Sequence, residues 1–308
     1  MRVAAIDCGT NSIRLLIADI NEGVLTDVVR TMVVVRLGEG VDQTGEFSQA
    51  ALTRTFAAID TYAELIAEHK PERVRFVATS ASRDVSNRAE FAAGILQRLG
   101  IDLDVISGDE EAQLSFSGAT ADLLNSANPP QAPYLVVDIG GGSTEFVLGT
   151  TSPDEAISTN VGCVRMTERH LRNDPPTAEQ IAGATADIDA AIELAGQTVP
   201  MVEAKSLIGL AGSVTTVAAI ALELDEYDPH AIHGSRISAD TVHAVTQNLL
   251  TMTREDRAAI GSMHEGRIDV IGGGALILDR ILAQTGISEV FVSERDILDG
   301  IARALATS

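Results

Sequence analysis

The sequence predicts a duplicated α/β fold in two domains, and two observations carry that prediction. First, an apolar strand ending in an aspartate, a small-residue turn and a second apolar strand occur twice, as VAAIDCGTNSIRLLIA from Val3 and as YLVVDIGGGSTEFVLG from Tyr134. The copies superpose at a constant offset, with Asp7 on Asp138, Gly9 on Gly140, Ser12 on Ser143 and Arg14 on Glu145. Second, the surroundings repeat too, which two unrelated tight turns would not require.

After Asp7 the pattern reads as three strands, the third over 24–35, then a helix over 49–68, a strand over 74–78, a helix, a strand over 103–106 and a helix. Leu52, Phe56, Ile59, Tyr62 and Ile66 stand at helical spacing, whereas RVRFVA from Arg73 alternates as a strand does. From Tyr134 the order begins again with three strands to about Val161. A helix from Thr177 follows, opened by a T-x-x-Q capping box after Pro175 and Pro176, then a strand near Leu207 and a helix from Ser213. The boundary falls near Gly118, ahead of the loop over 125–133. The first domain is expected over 1–119 plus the C-terminal helix at about 296–308, and the second over 120–295.

With 308 residues and 45% hydrophobic content, the chain can bury two real cores. It has no apolar run near membrane length, and Asp7 interrupts any signal-peptide core, so a soluble cytoplasmic protein with no membrane partner is expected. Cys8 and Cys163 give no disulfide framework and are expected to pack as small hydrophobes. A net charge of -22 argues against nonspecific nucleic-acid binding, which needs a basic face. An anionic substrate would need a local basic track and metal cations, and its binding would be sensitive to magnesium.

The repeated turn suits phosphate. Its glycines let backbone N–H groups approach an anion, Thr10, Ser12, Ser143 and Thr144 add hydroxyls, and aspartates at strand ends can hold a hydrated divalent cation. Two facing copies would clamp one phosphoryl group. In VISGDEEAQLSF, Ser107 and Glu110 form a capping box, which leaves Glu111 without a capping occupation and placed to accept a proton from an attacking water. The residues support a second reading equally, in which Asp109, Glu110 and Glu111 only complement the helix dipole. His230 and His233 stand three apart with no third ligand at suitable spacing, and His69, His170, His243 and His264 are scattered, so no histidine metal site is expected.

The segments AIDCGTNSIRLLIAD, VATSASRDVSN, VISGDEEAQLSFSGA, VVDIGGGSTEF, NDPPT, GLAGSVTTVAA, YDPHAIHG and VSERDILDG, in this order and covering nearly the whole chain, resemble the exopolyphosphatase and guanosine pentaphosphate phosphatase (Ppx/GppA) family. The resemblance implies a duplicated ribonuclease H-like (actin-like ATPase) fold with an interdomain cleft. Longer members continue into a helical region resembling metal-dependent phosphohydrolases, so this chain looks like the short, two-domain form. The family's proposed catalytic base falls on Glu111, and its TSASR arginine on Arg83.

The implied chemistry is hydrolysis of a terminal phosphoanhydride. Asp7, Asp138 and Glu145 would hold Mg²⁺, mostly through water, while Gly9, Thr10, Asn11, Ser12, Gly140, Gly141, Gly142, Ser143 and Thr144 grip the terminal phosphate. Arg14 and Arg83 would offset charge on the phosphate chain or pair with a nearby acid. In GLAGSVTTVAA, Gly212 and Ser213 would meet phosphate or the substrate chain, and VIGGGALIL resembles the adjoining segment; close helix packing is the other reading of both. Where members commonly read GLREG, this chain has DILDG, with Leu298 and Asp299 in place of arginine and glutamate, which raises the hypothesis of a preference for shorter chains. The expected function is release of orthophosphate from the ends of inorganic polyphosphate, with guanosine pentaphosphate hydrolysis as the alternative. A noncatalytic polyphosphate or alarmone sensor and a kinase of the same superfamily are the other classes. A homodimer is expected, as family members commonly form one.

Overall fold

Each half of the chain is organised by one mixed sheet whose first two strands flank a tight turn. The computed structural model describes residues 1–83, 85–123 and 129–307, so the loop expected over 125–133 lies partly outside the described residues.

The first unit comprises Met1–Gly118 and Ile297–Ser308. Strands β1 (Arg2–Cys8), β2 (Ser12–Asn21) and β3 (Val24–Val34) form an antiparallel meander. The short helix α1 (Val41–Thr44) and the long α2 (Gln49–His69) follow, then β4 (Arg73–Ala78), α3 (Ser80–Arg83), α4 (Arg88–Leu99), β5 (Leu103–Val105) and α5 (Gly108–Leu123). The sheet order is β3-β2-β1-β4-β5, with β4 and β5 parallel to β1. Ser48 caps α2 by accepting the Ala51 N–H, and Leu52, Ile59 and Tyr62 of its apolar stripe are buried.

The second unit, Ala119–Asp296, repeats that order. Strands β6 (Tyr134–Ile139), β7 (Thr144–Gly149) and β8 (Pro153–Thr159) form its meander. Next come α6 (Cys163–Arg169), α7 (Ala178–Gly196), β9 (Ser206–Leu210), α8 (Ala211–Ala221), α9 (Pro229–Ile232), β10 (Arg236–Ser238), α10 (Ala239–Thr251), α11 (Arg254–Ala258), α12 (Ile271–Thr285) and β11 (Glu289–Val292). Helix α13 (Ile297–Thr307) then closes the chain. The second sheet runs β10-β11-β9-β6-β7-β8. Read from β8 to β11 it matches the first sheet, and β10 adds an antiparallel edge strand. The duplicated ribonuclease H-like α/β arrangement is therefore present. The Thr177 capping box forms as the sequence predicts, with both reciprocal bonds.

Alternation along β1 decides what faces where. Ala4, Ile6 and Cys8 enter the larger core under α2 and α4, whereas Val3 and Ala5 pack on the other face with Leu114 of α5 and Leu298 and Ile301 of α13. Asp7 continues this second face at the C-terminal end of β1. Helix α13 lies on β1 and β2 of the first unit. Within DILDG, Leu298 is 1% exposed in that core, and Asp299 receives two hydrogen bonds from Arg30 of β3. The position of Leu298 is thus an interior one, so the hypothesis of a shorter-chain preference gains no support from it. Burial opposes the charge on Arg30, but the Asp299 and Asp27 carboxylates outweigh it and raise its pKa above the ordinary value.

Gly300 is required by close approach, because a Cβ there would stand 2.1 Å from the Leu114 carbonyl oxygen. Gly300→Ala must push α13 off α5, and overpacking of this kind costs roughly 1–3 kcal/mol. Urea denaturation of the variant should show a lowered midpoint at unchanged slope; an unchanged midpoint would mean that α13 shifts freely.

Candidate active site

The two turns are built alike to the level of single hydrogen bonds. Gly9 N–H donates to Ser12 O and Gly140 N–H to Ser143 O, both at 3.0 Å. In each copy the turn's carbonyls are then pinned by a later segment. Asn11 O accepts from the N–H groups of Val35 (3.0 Å) and Arg36 (2.8 Å), and Thr10 O from Gly38 (2.8 Å). Gly140 O accepts from Cys163 (3.0 Å), and Gly141 O from Val164 (2.9 Å) and Arg165 (3.1 Å), all at the start of α6. Arg165 Nε closes the set on Gly142 O at 2.8 Å. A trans peptide sends its N–H opposite to its C=O. The N–H groups of Asn11, Gly141, Gly142 and Ser143 therefore turn away from the pinning segments, and they meet no acceptor among the described residues. Thr10 and Ser143 are buried beside them, 8% and 3% exposed, and Thr144 is spent on the Val161 carbonyl at 2.7 Å.

The strand ends differ between the copies. Asp7 stands opposite Arg14 in the β1–β2 register, and Arg14 grips Asp7 Oδ2 through Nη2 at 2.6 Å and Nε at 3.0 Å. The pairing role allowed for Arg14 in the sequence is thus realised on the neighbouring aspartate. In the second copy Asp138 stands opposite Glu145. Cross-strand partners share a face, so two carboxylates, 7% and 1% exposed, lie on the same side of the sheet. Ser158 Oγ donates to Glu145 Oε1 at 2.7 Å. Among the described residues no group of three or more His, Cys, Asp or Glu could hold a metal ion. Two carboxylates still suit Mg²⁺, which keeps several waters and takes one or two carboxylates together with substrate phosphates.

Glu111 occupies the first turn of α5, and one turn further on Leu114 packs into the core on the Asp7 face of the first sheet. The expected capping box is half formed. Ser107 Oγ accepts the Glu110 N–H at 3.1 Å, but the Glu110 carboxylate goes instead to Arg75 of β4 at 2.6 Å. Glu111, with its side chain 10% exposed, is held by Arg83 Nη1 at 2.8 Å, and the same nitrogen donates to Ile106 O at 3.2 Å.

Around Gly212 and Ser213 the second unit gathers groups that sequence reasoning missed. Gly212 lies directly beneath the Arg267 guanidinium, with no room for a Cβ. Tyr227 Oη donates to Glu294 Oε1 at 2.5 Å, and the Thr215 hydroxyl, 2.7 Å away, donates to Tyr227 Oη. The run Gly272–Gly274 lies inside α12 and serves close packing, with Gly273 against the Cys163 carbonyl and Gly274 against Ser213. Near Gly9, Thr79 Oγ1 would stand 3.9 Å from a Cβ on that glycine, and the hydroxyls of Ser80 and Ser82 are buried without a hydrogen-bond partner among the described residues. Thr79 and Tyr227 both fall in segments that carried the family resemblance, and that was the signal available. The histidines hold structural posts: His233 accepts the Glu294 N–H, while His170 and His243 pair with Asp187 and Asp279. Both cysteines are buried and free. Among the described residues no helix is long and apolar enough to cross a membrane.

The fold and these groups define a duplicated α/β protein built on two turns whose amides meet no acceptor among the described residues. The chain belongs to the Ppx/GppA phosphatase family, whose model matches residues 16–306. It is 49% identical to exopolyphosphatase 2 of Mycobacterium tuberculosis, over 99% of this chain and 98% of that protein. To the guanosine-5'-triphosphate,3'-diphosphate pyrophosphatase of Pseudoalteromonas atlantica it is 27% identical, over 97% of this chain and 57% of that protein. A crystal structure of an exopolyphosphatase-like protein superposes with a TM-score of 0.95 at 46% identity, covering 99% of this chain and 100% of that one. A structure of the Aquifex aeolicus PPX-GPPA enzyme superposes with a TM-score of 0.82 at 30% identity, covering 99% of both chains.

Gly162 backs the second turn: a Cβ there would meet Gly141 C and O at 2.5 Å and Gly142 N at 2.6 Å. Gly162→Ala should therefore displace that turn. Titration with inorganic phosphate should show binding weakened several-fold while the far-ultraviolet circular dichroism stays that of the wild type. Unchanged phosphate affinity would remove the second turn from anion binding.

Proposed function

We propose that the protein is an exopolyphosphatase that releases orthophosphate from the ends of inorganic polyphosphate. The observation that carries the reading is the set of turn amides, from Asn11 and from Gly141 to Ser143, that donate to no acceptor among the described residues while the neighbouring carbonyls are pinned. Unsatisfied backbone donors of this kind form an anion-binding nest. The near full-length likeness to a protein named exopolyphosphatase 2 supports polyphosphate as the anion.

In this reading, water attacks the terminal phosphorus, the bond from that phosphorus to the bridging oxygen breaks, and the shortened chain leaves with the bridging oxygen. Glu111 orients the water and takes its proton. Each turn offers donors to a phosphate: in the first unit the Asn11 amide with the Thr10 and Ser12 hydroxyls, and in the second the Gly141 to Ser143 amides with the Ser143 hydroxyl, while Gly212 and Ser213 offer theirs to a phosphate of the chain. Asp138 and Glu145 would hold Mg²⁺, since carboxylates side by side on a buried sheet face repel and a cation would offset them. In the first unit Arg14 neutralises Asp7, whose carboxylate would meet a cation only through water. When bound, Mg²⁺ supplies charge neutralisation on the phosphoryl oxygens. A cytoplasmic homodimer completes the reading. Guanosine pentaphosphate is the second substrate to consider, because a relative carries the name of a pyrophosphatase for it.

The direct test is orthophosphate release from purified protein with Mg²⁺, comparing polyphosphates of several lengths with guanosine pentaphosphate and ATP. Polyphosphate should be the best substrate, and no release from any polyphosphate would end the proposal. Proton transfer by one positioned group contributes ~10² to 10⁴-fold, so Glu111→Gln should lose that much in kcat while still binding substrate. Glu110→Gln should leave kcat near the wild-type value, since its carboxylate serves Arg75. Equal losses from both would show that neither is the base. Asp138→Asn should raise the Mg²⁺ concentration needed for half-maximal rate, and an unchanged Mg²⁺ dependence would take Asp138 out of the metal set.

A further inference from the structure

We propose that Arg83 acts through Glu111, as a positioning residue for the base, rather than as a contact for the body of the phosphate chain. The inference rests on the reading of Glu111 as the base. Both side-chain hydrogen bonds of Arg83 among the described residues come from Nη1, to Glu111 Oε2 at 2.8 Å and to Ile106 O at 3.2 Å. Ile106 is itself fixed, because its N–H donates to Ala78 O at 3.2 Å, at the end of β4. Helix α3 leaves β4 two residues later and ends at Arg83. The guanidinium therefore closes a loop from the end of β4, across the end of β5, to the first turn of α5. The backbone of that turn is pinned as well, by Glu110 N–H on Ser107 Oγ at 3.1 Å and Glu111 N–H on Ser107 O at 3.0 Å. With both ends anchored to the sheet, the bridge selects one orientation of a side chain that would otherwise sample several rotamers.

The neighbouring glutamate shows what the bridge adds. Glu110 is 43% exposed at its side chain and shares Arg75 with Asp104, so solvent screens that pair. Glu111 and Arg83 are 10% and 24% exposed, and Arg83 makes no other ion pair among the described residues. Adjacent acids are thus claimed by different arginines, and the more buried pair holds the proposed base.

Two roles for Arg83 make different kinetic demands. A contact to the chain body raises KM more for long polyphosphate than for a short oligomer. A positioning role lowers kcat alike at every length, by on the order of 10²-fold for a misplaced catalytic group. Arg83→Ala, Arg83→Lys and Glu111→Gln/Arg83→Ala should be assayed on short and long polyphosphate at matched free Mg²⁺. The expected result is a kcat loss independent of length in Arg83→Ala, partial recovery in Arg83→Lys, and a double variant no slower than Glu111→Gln alone, since groups that act as a unit are not additive. A long-to-short KM ratio that rises in Arg83→Ala, or a double variant whose losses add, overturns the inference. If Arg83→Ala does not fold, as judged by circular dichroism, Arg83→Lys and Arg83→Gln carry the same comparison. A wild type that releases no phosphate overturns the exopolyphosphatase reading itself, whereas an active wild type with an unaffected Arg83→Ala overturns this inference alone.

Discussion

The hydrogen bond across each tight turn, Gly9 N–H to Ser12 O and Gly140 N–H to Ser143 O, sets the geometry on which the rest of each unit depends. It fixes the hairpin register, and a slip by one residue would move every side chain of the strand to the opposite face. In the register observed, the aspartates stand opposite Arg14 and Glu145 at the strand ends, while the alternate residues supply the larger cores. The glycines at these turns also allow the approach of the segments that pin the carbonyls. The open turn amides and the core packing are therefore two consequences of one local constraint.

The two copies have diverged in charge. Asp7 and Arg14 form an ion pair, so the first turn presents amides with little net charge. Asp138 and Glu145 bring two carboxylates to one face, and the second turn presents amides beside concentrated negative charge. A protein of net charge -22 does not attract a polyanion by its overall field. In the proposed reading, its affinity for phosphate comes from local amides and a cation that carboxylates would take up, and the divergence of the turns separates those tasks.

The duplication was legible in the sequence because both the local pattern and the order of elements repeat, and strand and helix periods differ enough to be told apart. The α7 capping box was legible for the same local reason. Strands β10 and β11 were not, since runs of three and four residues carry no period. The expected start of α8 at Ser213 was two residues late, because the helix begins at Ala211 with a positive φ of 65° that no residue pattern announces. Half of the Ser107 capping box was lost to a competitor 35 residues away, Arg75, and the arginine on Glu111 lies 28 residues off. Pairs that form across the ends of parallel strands have no fixed spacing, so the residue types were visible and the partners were not.

The sorting of the acids at the start of α5 follows from where those arginines stand. Asp109, Glu110 and Glu111 all complement the helix dipole, and sequence could not separate them. Tertiary structure draws Glu110 outward to Arg75 and leaves Glu111 buried against Arg83. Burying a charge pair costs desolvation, and an apolar pair of similar volume is often as stable or more so. Stability alone therefore gives little reason to keep a carboxylate at that depth. A group that must present a fixed oxygen to a reacting water gives a reason that the exposed neighbour does not share, and it is on this ground that the second glutamate, not the first, is the proposed base.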